Sequence, residues 1–180
     1  MQKVDAQVYS DAWTYEEFMQ LPEDRKKHEL IKRELVVSPS PEYKHQKILT
    51  RLLNQMFAYA EKRNGEVVPA PMDVRLDEDL VVQPDIIYIS EKNRDIIKDR
   101  VDGSPDLIAE ILSKSSTLYD RRRKKKIYEE YAIEEYLIVS PEDKTIDYFR
   151  LKDKKYAFVG KFKDRLTVLD GLEIDIKAIF

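Results

Sequence analysis

Two acids stand out by the runs that hold them. Asp85 lies in Gln83-Pro84-Asp85-Ile86-Ile87-Tyr88 and Glu110 in Pro105-Asp106-Leu107-Ile108-Ala109-Glu110-Ile111-Leu112, each at the edge of a strand-like apolar run. A divalent cation such as magnesium takes hard oxygen ligands, usually one or two carboxylates, with the other positions left to water and substrate phosphate. Two acids on neighbouring strands supply such oxygens, which makes Asp85 and Glu110 candidate metal ligands and Mg2+ the candidate cofactor, with Mn2+ as its substitute. The same residues also have a structural reading, as partly exposed acids flanking ordinary core strands.

Downstream, Arg121-Arg122-Arg123-Lys124-Lys125-Lys126 sets six cations in a row ahead of Tyr128 and Tyr131. The net charge is −3 and the pI near 5.6, so the overall field repels nucleic acid and any contact with a polyanion has to be local. Arg121, Arg122 and Lys125 are the candidate phosphate contacts, with a nucleic acid as the partner; the other reading of the run is a solvated helix face.

Other chemistries lack their residues. There is no cysteine, which excludes a disulfide framework, a thiolate zinc site and a thiol nucleophile. Two histidines, His28 and His45, fall short of a catalytic zinc set, and four glycines leave no phosphate-cradling loop. Neither a nucleophile elbow nor a P-loop occurs. The cysteine-free composition fits a reducing compartment, so a cytoplasmic protein is expected. The first residues lack the apolar stretch of a signal peptide, and no run approaches the roughly 20 apolar residues that cross a bilayer, so no membrane partner is expected.

The elements that must position these residues follow from periodicity. A length of 180 residues with 42% apolar composition suits one domain, 1–180, with a sizeable core, and no repeat or linker divides it. Thr14-Tyr15-Glu16-Glu17 has the spacing of a capping box and predicts a short helix ending near Leu21-Pro22. Two short strands are predicted at 28–31 and 34–37, on either side of Lys32-Arg33, closed by Ser38-Pro39-Ser40-Pro41. Ile48, Leu49, Leu52, Leu53, Met56, Phe57 and Ala60 mark a long helix from about Glu42 to Asn64-Gly65. Strands are expected at 66–68, 72–76, 85–90 and 107–112, then a helix over 118–132, then strands at 136–139, 145–151, 156–162 and 166–169. Helices and strands interleave, which predicts an α/β fold with a central mixed β-sheet flanked by the long helix and the basic helix.

Taken in order, several short motifs resemble one family. They are Glu29-Leu30-Ile31 with Glu34-Leu35-Val36, His45 at a helix start, Gln83-Pro84-Asp85, Pro105-Asp106-Leu107 with Glu110-Ile111-Leu112-Ser113, then Asp120, Lys124, Tyr128 and Glu135-Tyr136. Together they resemble the bacterial Uma-type putative restriction endonuclease family of the PD-(D/E)xK nuclease superfamily. The resemblance runs from about Thr14 to Gly171-Leu172-Glu173-Ile174. It implies a restriction-endonuclease-like fold and a metal-dependent endonuclease that hydrolyses phosphodiester bonds, with DNA first among its substrates and water as the nucleophile.

In that resemblance Asp85 and Glu110 ligate the metal, the backbone carbonyl of Ile111 is a third ligand, and Glu29 adds a supporting carboxylate. The superfamily places a lysine two residues after the glutamate, where this chain has Leu112. Lys124, in the array Asp120, Lys124, Tyr128 on one helix face, stands in for it as the auxiliary cation; its other reading is a surface partner of Asp120. His45 matches a family histidine and is expected at a phosphate, or else as a capping or packing residue. Ser113 either bonds a carboxylate or starts a loop, and Tyr128, Tyr131 and Tyr136 either stack on a base or belong to the core. The pair Lys32-Arg33 replaces the family's Asp-Gly-like turn.

Like charges and burial together predict a raised pKa for at least one of Asp85, Glu110 and Glu29 in the absence of a metal. A homodimer is the expected assembly, since two-fold symmetry suits cutting both strands of a duplex. Leu112 keeps one alternative open, a catalytically inactive relative serving as a DNA-binding or protein-interaction module. A small-molecule hydrolase on the same acids fits less well beside the cationic run.

Overall fold

The structure, a computed structural model, describes residues 6–10, 12–22, 24, 26–113 and 118–180, with the backbone alone at 118–120. After a short edge strand, β1 (Gln7–Tyr9), Thr14 opens α1 (Tyr15–Phe18) with the expected capping box. The Glu17 amide donates to the Thr14 hydroxyl at 3.2 Å, and the Thr14 amide donates to the Glu17 carboxylate at 2.8 Å.

β2 (Lys27–Ile31) and β3 (Glu34–Ser38) form a hairpin closed by Lys32 and Arg33, whose φ angles are 50° and 66°. Two-residue hairpin turns require this left-handed conformation, which Asn-Gly and Asp-Gly adopt most readily. The hairpin forms here with two long cations because neighbouring loops hold it. The Lys32 amide donates to the Asp79 carbonyl at 3.0 Å, and the Arg33 carbonyl accepts from the Trp13 amide at 2.9 Å.

α2 (Tyr43–Glu61) buries His45, Ile48, Leu49, Leu52, Met56 and Ala60 along one face. Phe57, counted with that stripe in the sequence, is exposed, because it lies about two and a half turns from Ile48 and so on the opposite side. At Gly65 a Cβ would come within 2.8 Å of the Tyr88 hydroxyl and 3.0 Å of the Ile89 carbonyl, so the close approach of the next strand demands glycine.

The chain continues through β4 (Glu66–Pro69), β5 (Val74–Asp77), β6 (Leu80–Val82), β7 (Ile86–Ile89) and a 3-10 turn, Glu91–Ile96. β8 (Val101–Asp102), β9 (Leu107–Ile111), α3 (Leu118–Glu130) and β10 (Glu135–Ser140) follow. The remainder is β11 (Thr145–Lys152), β12 (Lys155–Phe162), β13 (Arg165–Val168), β14 (Leu172–Asp175) and α4 (Ile176–Ile179). The expected α/β class and mixed central sheet are both present: strand order β12-β11-β10-β9-β7-β4, with β9 and β10 parallel across the α3 crossover and the other pairings antiparallel. A second mixed sheet, β1-β3-β2-β6-β5-β8, goes beyond the sequence expectation, as does the pairing of β13 with β14. No helix among the described residues is long and apolar enough to cross a membrane.

Side-chain alternation divides the central sheet's two faces. Ile86, Tyr88, Leu107, Ala109 and Ile111 face α2 and the C-terminal segment, while Ile87, Ile89 and Ile108 face the second sheet and α3, meeting Ile31, Val36, Leu80, Ile127 and Tyr128. By the same alternation Glu110 falls on the inter-sheet face with Ile108, and Glu29 falls on it with Ile31. Glu110 and Glu29 are therefore delivered into the layer between the two sheets by strand geometry, while Asp85 stands in the bend just before β7.

The turn yields a direct test. Replacing Lys32→Asn together with Arg33→Gly should relieve backbone strain and raise stability by about 1 kcal/mol. A higher urea midpoint with an unchanged m-value is the expected outcome, and a lower midpoint would show that the contacts of Lys32 and Arg33 outweigh the strain.

Candidate active site

In the antiparallel register of β7 with β9, Ile86 pairs with Ala109, which sets Asp85 against Glu110 at the strand ends. Asp85 Oδ2 accepts the Ile111 amide N–H at 2.7 Å and bonds His45 Nε2 at 3.1 Å. An ionised carboxylate only accepts, so Nε2 is the donor in that pair. Glu110 Oε1 accepts the Tyr128 hydroxyl at 2.6 Å and Lys124 Nζ at 3.1 Å. Glu29 Oε1 accepts Lys124 Nζ at 3.0 Å and the Gln83 amide at 2.9 Å. All three acids are buried, with relative exposures of 2% for Glu29, 7% for Asp85 and 8% for Glu110.

Three buried carboxylates are tolerable only when cations and donors compensate them. Lys124, itself buried, bridges Glu29 and Glu110. A second cation completes the set: Lys27 Nζ lies 3.9 Å from Glu29 Oε1, 3.8 Å from Asp85 Oδ1 and 3.9 Å from Glu110 Oε2. With all three acids ionised, two ammonium groups leave the cluster one charge short of neutral.

The environments separate the three acids. Burial disfavours the Asp85 carboxylate, but Lys27, His45 and the Ile111 amide outweigh it and bring its pKa down to about 2. Burial also opposes ionisation of Glu29, and Lys124, Lys27 and the Gln83 amide overcome it, so its pKa is lowered. At Glu110 burial wins: Lys124 and Lys27 lower the pKa while the neighbouring charges of Asp85 and Glu29 raise it, and the net shift is upward. One acid of the three is raised, as expected, with burial the larger cause and the neighbouring acids adding to it.

Among the described residues, neither Asp85 Oδ1 nor Glu110 Oε2 accepts a hydrogen bond, whereas the other oxygen of each acid is doubly engaged. The two open oxygens share Lys27 as a neighbour, so they face a common space that already attracts a cation. No group of three or more Asp, Glu, His or Cys side chains among the described residues forms a cation cage. A magnesium ion held by two carboxylates, its remaining shell left to water and phosphate, does not need one. The donor set fits.

A family model described as Uma2, putative restriction endonuclease, matches residues 15–178. The chain belongs to the Uma2 family. Among solved structures it is similar to the crystal structure of a putative nuclease belonging to DUF820 from Anabaena variabilis ATCC 29413, with a TM-score of 0.79 at 18% identity. The match covers 93% of this chain and 97% of that one, and at this identity it is a likeness of fold. No curated protein matches the chain.

Within this Uma2 chain the structure brings Asp85, Glu110, Glu29 and Lys124 into one cluster. Ile111 joins it through its amide N–H, bonded to Asp85. His45 is buried in the first turn of α2 and turned onto Asp85. Tyr128 is fully buried against Tyr136, with its hydroxyl on Glu110, while Tyr131 donates to Asp77 at 2.7 Å. The basic run splits by helix face. Arg123 pairs with Glu34 at 2.7 Å and Lys125 Nζ stands 4.1 Å over the Phe149 ring, whereas Arg122 and Lys126 are exposed and Arg121 is half-buried. The Asp120 side chain lies outside the described residues; Leu112 is half-buried and Ser113 exposed, just past the end of β9.

Lys27 is the member that sequence reasoning missed. Its signal was present in the strand period, because Lys27 and Glu29 stand two apart on β2 and so share a face.

Two predictions follow from the charges. Asp85 has a folded pKa near 2 against an ordinary 3.8, so its contribution to stability is present above pH 4 and lost as pH falls toward 2. In urea denaturation across pH 2 to 7, Asp85→Asn should show a shallower decline through that window than the wild type; parallel curves would contradict the assignment. Lys124→Met should cost about 3–5 kcal/mol at pH 7, because two buried carboxylates lose their shared cation. That cost should shrink toward pH 4 as the acids protonate, and a penalty independent of pH would mean that Lys124 acts by packing alone.

Proposed function

We propose that the protein is a divalent-metal-dependent endonuclease that hydrolyses phosphodiester bonds in DNA. Family membership and fold support a nuclease; the observation that carries the finer reading is the pair of open oxygens, Asp85 Oδ1 and Glu110 Oε2, facing one cation-attracting space. These two oxygens would hold Mg2+, or Mn2+ in its place, with the Ile111 carbonyl as a further oxygen. When bound, the ion supplies Lewis-acid polarisation of the phosphate and a more acidic water.

The chain's own residues do the positioning. His45 and the Ile111 amide grip one oxygen of Asp85 and orient the other. Tyr128 and Lys124 do the same for Glu110, and Glu29 keeps Lys124 in place through its 3.0 Å bond. Held at this point, the Lys124 ammonium substitutes for the strand lysine that Leu112 cannot provide, offsetting charge that develops on the phosphate in the transition state. Arg122 and Arg121, on the same helix, are the proposed backbone contacts to DNA, whereas Lys125 is already committed to Phe149.

A magnesium-dependent nicking assay on supercoiled plasmid tests this reading. The wild type should cut with Mg2+ or Mn2+ and stop in chelator, and Asp85→Ala or Glu110→Gln should lower the rate by at least about a hundredfold. Arg122→Ala should weaken binding evenly across sequences and reduce the salt slope by about one. If the wild type binds DNA yet never cuts with either metal, the inactive binding module that Leu112 suggests replaces the enzyme.

A further inference from the structure

Lys27 has contacts that the nuclease reading does not use. It reaches one oxygen of each of the three acids, at 3.8 to 3.9 Å, beyond the 2.7–3.2 Å of a hydrogen bond. Lys124, by contrast, is bonded at 3.0 and 3.1 Å and buried within the cluster. The Lys27 side chain keeps 21% of its surface exposed, on a strand that starts just after a charged loop. Two of the oxygens it faces, Asp85 Oδ1 and Glu110 Oε2, are the two that accept no hydrogen bond among the described residues.

We propose that Lys27 is a resident counter-cation that competes with the divalent ion for Asp85 and Glu110, neutralising the acids before the metal arrives and withdrawing when it binds. The inference rests on the metal-dependent reading above. An ammonium and a divalent ion cannot both sit against the same two oxygens, because like charges a few ångströms apart in a partly desolvated site repel strongly. Lys27 can withdraw where Lys124 cannot: it has a long flexible stem, a partly exposed side chain and, among the described residues, no short bond to break. It is therefore a positioning residue that sets how much metal the site requires. Its removal has opposite effects on the two states of the site, since the metal-free acids lose a compensating charge while the metal-bound acids lose a competitor.

Isothermal titration with Mn2+, and with Ca2+ as a second probe, on the wild type, Lys27→Met, Lys27→Arg and Asp85→Asn separates the possibilities. Lys27→Met should bind Mn2+ about tenfold more tightly or better, Lys27→Arg should stay near the wild type, and Asp85→Asn should lose the site. Thermal melts should show Lys27→Met below the wild type in chelator and level with it or above it in saturating Mn2+, a reversal that a purely structural role cannot produce. Equal or weaker Mn2+ affinity in Lys27→Met, with Asp85→Asn still losing the site, overturns the role of Lys27 and leaves the metal reading intact. No Mn2+ binding by any variant overturns both.

Discussion

Burying three carboxylates in one layer between two sheets is the constraint on which the rest of this molecule depends. Glu29 and Glu110 reach that layer through ordinary strand alternation and Asp85 from the bend just before β7, and isolated there each would be prohibitively costly in its ionised form. The surroundings answer that cost in a definite order. Asp85 is held by a backbone amide and a histidine, Glu29 by a backbone amide and Lys124, and Glu110 by Tyr128 and the same lysine. The register of α3 is set by this requirement, since Lys124 and Tyr128 must arrive together, one helical turn apart, beside Glu110.

The same arrangement gives the two central acids different characters. Asp85 is fully ionised under any ordinary condition, whereas Glu110 is pushed toward its neutral form by burial and by its acidic neighbours. A permanently charged oxygen beside an acid sensitive to added positive charge is what a site that recruits a cation needs: an incoming divalent ion relieves the like-charge crowding that raises Glu110. Asp106 is satisfied by the Ser90 amide and hydroxyl and by Asn93, and its role is to pin the turn after β7.

Much of this was legible in the sequence, and the omissions have physical causes. Asp85 and Glu110 were visible because each stands at the edge of an apolar run, and the long amphipathic helix and its stop at Asn64-Gly65 were visible by period. The second sheet was hidden because its strands are short: Leu80–Val82 contributes three residues, and Val101–Asp102 two, so their pairing is fixed by tertiary register rather than local pattern. Lys27 was hidden because it follows Lys26 in a charged stretch, where one more lysine looks like surface. His45 and Tyr128 were visible as residues, but their directions were not. A histidine aimed at Asp85 and a tyrosine aimed at Glu110 are facts of packing, and periodicity alone leaves a phosphate contact and a stacking platform equally open.

The central claim is that Asp85 and Glu110 each hold one oxygen ready for the same divalent ion. Anomalous diffraction from crystals of the wild-type protein soaked in Mn2+ addresses it most directly. A manganese peak within ligand distance, about 2.0–2.3 Å, of Asp85 Oδ1 and Glu110 Oε2, with the Lys124 bridge between Glu29 and Glu110 unbroken, is the predicted result. Manganese bound elsewhere, or no peak between the two acids at saturating concentration, would contradict it.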